Sequence, residues 1–288
     1  MGRTLKKIIK VTQTVLIVLV SALVVFLVLN GLVKRPHFQN TTEPKTTATK
    51  KVIKKKVTLT AIGDSLTHGV GDATNSGGYV PLVKKELALQ YQTQVTTHNF
   101  GVSGDTSTQI RTRVIQQEKI QKGLKAADVI TMTVGANDLM HELRNNINNV
   151  SVAKIKKASK TYQQHLTALI KTIRQYNPDA PIVIASIYNP FYVYFPTLTD
   201  LQTGMTLWNA TTQQTIKQFS QIYYVNIDSV MTKPKESILA NNKKKQTTLN
   251  PYLYTKDHFH PNNRGYQAIA NQFVTKIKAI KANWLYQN

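Results

Sequence analysis

Hydrophobic residues follow two patterns along the chain: one long continuous run near the amino terminus, then short runs that alternate with amphipathic stretches. The short runs are rich in β-branched residues and predict strands at 57–63, 94–101, 128–135, 181–188 and 222–228. The other stretches predict helices at about 79–91, 107–122, 150–176, 201–220 and 264–282. Strand and helix in strict succession predict an α/β fold, in which helices cover both faces of a parallel sheet.

The long run, residues 11–33, contains 23 residues without a charge. As a helix it would be about 34 Å long, enough to cross the hydrocarbon core of a bilayer, so we predict a single transmembrane anchor. Basic residues precede it, which predicts that residues 1–10 are cytoplasmic and that the rest of the chain is extracellular. The alternative is a cleaved signal peptide, which has a shorter apolar region and a small-x-small site; no such site is evident here.

Residues 34–56 are rich in Thr and Lys and have almost no large apolar side chains, so they predict a tether in front of one domain at 57–288. The lysine-rich end of the tether either lies on an anionic surface or is a solvated linker, and both interpretations stay open.

The net charge of the chain indicates a further class of binding partner. The chain has 37 Lys and Arg against 14 Asp and Glu, a formal charge of +23, of which residues 1–56 carry +11 and the remainder +12. Such a balance attracts polyanions, and an anionic cell-wall polymer is a candidate partner. No nucleic acid is expected, because the charge is scattered and no base-stacking motif is present. The absence of cysteine excludes disulfides, thiol catalysis and thiolate metal sites.

Small and polar residues end the first three predicted strands, as GDSL at 63–66, NFGVSGDT at 99–106 and GAND at 135–138. The carboxyl ends of parallel strands meet at one edge of a sheet, where ligands of open α/β sheets bind. Ser65 is then either the cap of the next helix or a nucleophile. A nucleophilic serine needs a histidine base and a carboxylate to orient it, and Asp257 and His260 are three residues apart in DHFHPNNRGY at 257–266.

An acyl-transfer site also needs hydrogen-bond donors for the oxyanion. The backbone N–H groups of Ser65 and Gly104 and the side-chain amide of Asn137 are suitably placed in this topology.

Four blocks in this order resemble the SGNH hydrolases, also called the GDSL esterase and lipase family: GDSL at 63–66, Gly104 within SGDT, GAND at 135–138 and DHFH at 257–260. The resemblance extends from about 57 to 282. It implies that Ser65 is the nucleophile, His260 the base and Asp257 the residue that orients it, with Ser65, Gly104 and Asn137 as oxyanion donors. It also implies a three-layer α/β/α sandwich with a five-stranded parallel sheet, similar to flavodoxin, and no metal or organic cofactor.

Other residues near the four blocks are expected to have structural and not catalytic roles. Asp64 is expected to tie down the turn, Asp138 to cap the following helix, and His258 to point away from the catalytic groups. The glycine-rich stretch 69–78 does not complete a dinucleotide motif and is interpreted as a flexible rim of the site. The aromatic segment 189–205 is an acyl-binding wall, a lid or ordinary packing against the sheet.

The sequence thus predicts a membrane-anchored extracellular serine esterase or lipase-type acyl hydrolase acting on a small-molecule, lipid or glycan ester. One alternative is a deacetylase of O-acetyl groups on cell-wall polysaccharide. Another is a protein that keeps the fold but only binds wall polymer.

Overall fold

A computed structural model of the chain describes residues 13, 16–29, 51–145, 151–195, 197, 199–233, 238–242 and 245–287. The chain divides into two units, Met1–Lys50 and Lys51–Asn288. In the first unit, residues 16–29 are helical, and the predicted cytoplasmic segment 1–10 lies outside the described residues, as does the tether between 34 and 50. Every helix in the described part of the chain is too short or too polar to cross a membrane.

The second unit alternates strands and helices. In chain order its elements are β1 (Lys56–Gly63), α1 (Ser65–His68), α2 (Tyr79–Tyr91), β2 (Gln94–Gly101), α3 (Ser107–Gln116), α4 (Glu118–Lys125), β3 (Val129–Thr133), α5 (Ala136–Asn145), α6 (Val152–Tyr176), β4 (Ile182–Ala185), α7 (Thr199–Ile216), β5 (Ile222–Val225), α8 (Asp228–Met231), β6 (Ile238–Asn242), β7 (Lys245–Leu249) and α9 (Asn263–Ala279).

Strands β1 to β5 form one parallel sheet in the order β2-β1-β3-β4-β5, as the alternating pattern predicted. The chain runs outward from β1 to β2 and then crosses to β3 on the other side of β1. This reversal opens a crevice beyond the carboxyl ends of β1 and β3, the usual ligand site of such sheets. The turns after these two strands carry Ser65 and Asn137.

Alternate residues of β1 face opposite layers of the core. Leu59 and Ala61 belong to the apolar cluster formed with α2 and α9, whereas Ile62 belongs to the cluster formed with α3, α4, α6 and α7. Stacking of Tyr79 on Phe273, with ring centroids 4.5 Å apart, joins α2 to α9. Helices on both faces of the sheet confirm the predicted three-layer sandwich.

Several predicted boundaries were wrong. The helix predicted over 107–122 is two helices, because Gln117 has an extended backbone (φ −109°, ψ 105°). The strands predicted over 128–135, 181–188 and 222–228 end earlier, since their last residues turn into loops at the carboxyl edge. The hairpin β6–β7 was not predicted, because its Asn-, Lys- and Thr-rich sequence lacks apolar alternation.

Residues 51–56, which the sequence analysis placed at the end of the tether, belong to the compact unit. Ile53 forms a β-bridge with Tyr286, and the Lys54 ammonium lies 2.6 Å from the Asp128 carboxylate. These contacts join distant parts of the chain, so composition alone did not reveal them.

Candidate active site

Ser65 is the first residue of α1, two residues after β1 ends at Gly63. The preceding turn is tight: a Cβ on Gly63 would lie 2.5 Å from the Thr133 carbonyl oxygen. The helix cap is Asp64, whose carboxylate accepts from the Leu66 N–H at 3.1 Å, so the interpretation of Ser65 as the cap is wrong. The Ser65 residue is only 5% exposed, and its hydroxyl makes no hydrogen bond to any described residue.

The Asp64 carboxyl is 2% exposed and lies under the turn. It also accepts a hydrogen bond from the Thr133 hydroxyl at 2.7 Å, as expected for a residue that ties the turn down. Burial raises the pKa of Asp64, although the hydrogen bonds from Thr133 and Leu66 and the charge of His260 act in the opposite direction.

Asp257 and His260 form the second part of the site. The His260 ring donates from Nδ1 to the Asp257 carboxylate at 2.7 Å, and the backbone N–H groups of Phe259 and His260 donate to the other carboxylate oxygen at 2.9 and 3.0 Å. Burial by itself would raise the pKa of Asp257, but these hydrogen bonds outweigh it and the pKa is lowered. An ionised carboxylate only accepts, so Nδ1 carries the hydrogen and Nε2 is the basic nitrogen.

Ser65 and His260 are linked through their neighbours. Leu66 and Phe259 both line one narrow cavity of about 20 Å³, with Val134, Ala136, Ile187 and Tyr188. No hydrogen bond joins the Ser65 hydroxyl to the His260 ring within the described residues. Catalytic hydrogen bonds are often long before substrate binds and shorten in the complex with substrate.

The predicted oxyanion donors lie around the same edge. The backbone N–H groups of Ser65 and Gly104 have no acceptor among the described residues. Gly104 has φ +87°, and a Cβ there would meet nothing within 4 Å, so its backbone faces open space. The Asn137 side chain donates one amide hydrogen to the Asp105 carbonyl at 2.8 Å, which orients the amide and leaves its second hydrogen for a ligand.

Arg113 is a functional candidate that the sequence analysis missed. From α3 its guanidinium binds the Asp105 carboxylate at 2.6 Å, the Phe100 carbonyl at 3.0 Å and the Gly63 carbonyl at 3.2 Å. Both members of the Arg113–Asp105 pair are largely buried. One side chain therefore joins the ends of β1 and β2 to the loop that carries Gly104, and no local motif signals this.

Asp138 has a different role from the predicted one. Helix α5 begins at Ala136, so Asp138 lies in its first turn and does not cap it. Its carboxylate accepts from both the backbone N–H (2.9 Å) and the hydroxyl (2.5 Å) of Ser107 at the start of α3. The contact between Asp138 and Ser107 thus holds the start of α5, which carries Asn137, beside the loop that contains Gly104.

The aromatic segment after β4 packs against the histidine loop. The Tyr188 hydroxyl donates to the Phe259 carbonyl at 2.7 Å, and the Phe191 ring lies 6.1 Å from that of Phe259. His258 contacts Tyr194 and not the catalytic groups, as the sequence analysis expected. These contacts favour the interpretation of this segment as a wall of the site.

A wider cavity of about 620 Å³ lies beside the chain segment that precedes Asp257. Its lining consists of residues 68–73, 75–77, Tyr254 and Lys256. The narrow cavity is thus lined by Leu66 and Phe259, which are sequence neighbours of Ser65 and His260, whereas the wide one is lined by residues further along the same two loops.

Comparison with known proteins identifies the family of the chain. The profile of the GDSL-like Lipase/Acylhydrolase family matches residues 61–268. The uncharacterized protein YpmR of Bacillus subtilis is 30% identical over 241 residues, covering 83% of this chain and 89% of YpmR. The spore germination lipase LipC of Bacillus licheniformis is 24% identical over 217 residues, covering 74% of this chain and 92% of LipC.

Solved structures share the fold. A lipase from a goat rumen metagenome superposes with a TM-score of 0.59 at 25% identity, covering 76% of this chain and 96% of that one. An acetyl xylan esterase from Geobacillus stearothermophilus superposes with a TM-score of 0.53 at 18% identity, covering 79% and 96%. The chain belongs to the GDSL-like lipase/acylhydrolase family and is a carboxylic ester hydrolase.

Proposed function

We propose that the protein hydrolyses carboxylic esters with Ser65, His260 and Asp257 as its catalytic triad. When an ester binds, the Ser65 hydroxyl approaches the His260 ring and its oxygen attacks the ester carbonyl carbon. The serine proton passes to His260 Nε2, and Asp257 stabilises the resulting imidazolium. The bond to the alcohol then breaks, His260 returns the proton to the leaving oxygen, and the acyl group stays on Ser65.

The second half of the reaction repeats these roles with water. His260 takes a proton from a water molecule whose oxygen attacks the acyl carbonyl, and Ser65 regains the proton as the acid leaves. In both halves the negative oxygen is bound by the N–H groups of Ser65 and Gly104 and by the Asn137 amide. Removal of one such donor typically costs about 3 to 4 kcal/mol of transition-state stabilisation.

The observation that carries the proposal is the 2.7 Å hydrogen bond from His260 Nδ1 to Asp257. It selects the tautomer in which Nε2 is the base. It lies in the loop whose Phe259 shares a cavity wall with Leu66, the neighbour of Ser65.

Substitution of Ser65 tests the triad. We expect Ser65→Ala to lower kcat for 4-nitrophenyl acetate by about 10⁴-fold or more and to abolish labelling by a fluorophosphonate probe. Ser103→Ala, in an exposed position beside Gly104, is the matched control and should keep both signals. Full activity of Ser65→Ala would refute the triad, whereas absence of ester hydrolysis by the parent protein would favour the alternative of a protein that only binds wall polymer.

We further propose that residues 11–33 anchor the protein in the cell membrane with the catalytic unit outside. The support is the run of 23 uncharged residues and the basic residues before it. An anionic cell-wall polymer near the basic tether is then the expected neighbour.

Cell fractionation with surface proteolysis tests this placement. The full-length protein is expected in the membrane fraction, with its catalytic unit removed by protease added outside intact cells. Recovery of a soluble form that begins near residue 35 would refute the anchor and support a cleaved signal peptide.

A further inference from the structure

The turn that carries Ser65 cannot hold its shape by itself. Helix α1 has four residues, and a single helical turn in isolation is unstable because nucleation costs more than its first hydrogen bonds return. Its backbone bonds are local, such as the one from the Gly69 N–H to the Ser65 carbonyl at 2.9 Å. The position of Ser65 relative to the sheet must therefore come from contacts with other elements.

Thr133, the last residue of β3, contacts this turn on both sides of Ser65. Its hydroxyl donates to the Asp64 carboxylate at 2.7 Å and lies 2.8 Å from the Thr67 hydroxyl. Its backbone carbonyl accepts from the Asp64 N–H at 3.2 Å. Because Ser65 lies between Asp64 and Thr67 in the chain, a single residue of the neighbouring strand spans the segment that carries the nucleophile.

The direction of these hydrogen bonds follows from the number of hydrogens available. When the Asp64 carboxyl is ionised it only accepts, and a threonine hydroxyl has one hydrogen, which Thr133 gives to Asp64. In the contact between the two threonines, Thr67 must then be the donor. The chain of bonds ends on a charged group, and hydrogen bonds to charged groups are the stronger kind.

The two threonine hydroxyls are buried beneath the turn. Thr67 is 0% and Thr133 3% exposed, so each hydroxyl must find its partner inside the protein. A Cβ on Gly63 would lie 2.5 Å from the Thr133 hydroxyl oxygen and 2.6 Å from that of Thr67. The glycine that begins the GDSL block therefore makes room for this pair of hydroxyls.

Thr67 is also bound to two further elements. Its hydroxyl lies 3.2 Å from the Tyr79 hydroxyl of α2, and its carbonyl accepts from the Asn99 side chain of β2 at 2.7 Å. Burial raises the pKa of Tyr79 to about 12, so the tyrosine keeps its hydrogen at neutral pH. Contacts from β2, β3 and α2 thus meet at a residue two positions after Ser65.

Thr133 connects the nucleophile to an oxyanion donor as well. In the parallel pairing of β1 with β3, Thr133 is opposite Gly63, and Asn137 follows four residues later in the same chain segment. The attacking oxygen of Ser65 and the amide of Asn137 must meet the same carbonyl group. A shift of the Ser65 turn relative to β3 would change the distance between them, and small misplacements of this kind slow a reaction strongly.

We propose that Thr133 and Thr67 are positioning residues that act as one unit and fix Ser65 for attack on the ester carbonyl. Neither side chain touches a reacting atom in the proposed mechanism. The inference rests on the proposed function and adds to it the side chains that hold the nucleophile in place. Below, the two residues are called the threonine pair.

Removal of one hydroxyl is the first test. Thr133→Val keeps the branched shape of the side chain and is expected to lower kcat for 4-nitrophenyl acetate by about 10- to 100-fold, while KM changes little. Thr133→Ser keeps the hydroxyl and should restore most of the lost kcat. Failure of the serine variant to restore kcat would mean that the methyl group and not the hydroxyl matters, which overturns the inference.

Thr60→Val is the matched control. Thr60 is a fully buried threonine of β1 whose hydroxyl donates to the Gly123 carbonyl at 2.7 Å, so this variant also loses one buried hydrogen bond. Thermal melts of Thr60→Val and Thr133→Val should show similar decreases in Tm, but only Thr133→Val should lose kcat. Equal losses of kcat in the two folded variants would mean that Thr133 contributes only to stability, and the inference would fail.

A double variant tests whether the threonine pair acts as one unit. Thr67→Val alone should lower kcat by a factor similar to that of Thr133→Val, and the double variant should lose little more, since each single change already breaks the same chain of hydrogen bonds. Losses that multiply in the double variant would show two independent contributions and overturn the inference. If Thr133→Val does not fold, Thr67→Val takes its place against the Thr60→Val control. Absence of Ser65-dependent ester hydrolysis in the parent protein would instead overturn the proposed function, and this inference with it.

Discussion

At the scale of single residues, opposing influences act on the pKa of the buried Asp64 carboxyl beside the candidate site. Its pKa is raised by burial, while the charge of His260 and two hydrogen bonds favour its ionised form. Both hydrogen bonds reach the same oxygen, Oδ1, so an asparagine with its carbonyl oxygen there would keep them. The negative charge and the turn geometry can therefore be separated experimentally.

Asp64→Asn should change how stability depends on pH. Because the folded pKa of Asp64 is raised, its contribution to stability is fully present below the ordinary value of 3.8 and is lost as pH rises through the folded pKa. The variant lacks this loss. As pH rises from 4 to 8, the free energy of unfolding in urea should therefore increase for the variant relative to the parent. Parallel pH profiles for the two proteins would contradict the raised pKa.

The pKa of Asp257 is shifted in the opposite direction to that of Asp64, since the hydrogen bonds that Asp257 accepts lower it. Asp257→Asn is expected to lower kcat by about 10⁴-fold with a small change in KM, because the amide can hold His260 in the wrong tautomer. Steady-state kinetics at neutral pH measure this split. Asp179→Asn, on an exposed turn before β4, is the control, and a comparable loss there would show that the effect is not specific to the triad.

At the scale of elements, one arginine on α3 holds together the loops that end β1 and β2. Arg113 combines an ion pair to Asp105 with bonds to two backbone carbonyls. Lysine keeps the charge but lacks the planar fork that makes three such bonds at once. Arg113 touches no reacting atom in the proposed mechanism, so it is a positioning residue for the oxyanion donors.

Arg113→Lys should lower kcat by about 10- to 100-fold while KM changes less, since small misplacement of catalytic groups reduces rate more than binding. Kinetics with 4-nitrophenyl acetate and a thermal melt test this together. Arg111→Lys, on the same helix, removes a single hydrogen bond to Thr172 and serves as the matched control. If Arg113→Lys and Arg111→Lys lower kcat equally, the bonds that Arg113 makes to the loops after β1 and β2 have no special role in catalysis.

The elements also show which parts of the structure were predictable. Strand runs such as 57–63 and the polar blocks after them are local patterns, so the sheet and the four blocks followed from sequence alone. The break at Gln117, the hairpin β6–β7 and the Arg113 and Asp138 contacts depend on tertiary partners that no short window contains. The order of strands and helices was therefore easier to predict than the side-chain contacts between them.

At the scale of the whole molecule, residues 51–56 close the end of the sheet opposite to the catalytic loops. Besides the Ile53 bridge and the Lys54–Asp128 pair, the backbone N–H groups of Lys54 and Gln287 donate to the carbonyls of Leu285 and Val52 at 2.9 Å. The first residues of this unit thus pack on its last ones.

A fragment of residues 57–288 should therefore melt at a lower temperature than a fragment of residues 51–288. Loss of several hydrogen bonds at about 1 kcal/mol each corresponds to a decrease in Tm of about 5 to 10 °C. Calorimetry of the two fragments measures it. Equal Tm values would show that this segment adds nothing to the fold and that the boundary predicted at residue 57 is adequate.

The direction of β1 has a practical consequence. The strand enters the sheet at Lys56 and leaves it at Gly63, so the preceding polypeptide joins the molecule at its back, and the loops bearing Ser65, Gly104 and Asn137 lie at its front. A bead or a reporter domain coupled directly at residue 51 would therefore be attached at the end of the sheet opposite to these loops.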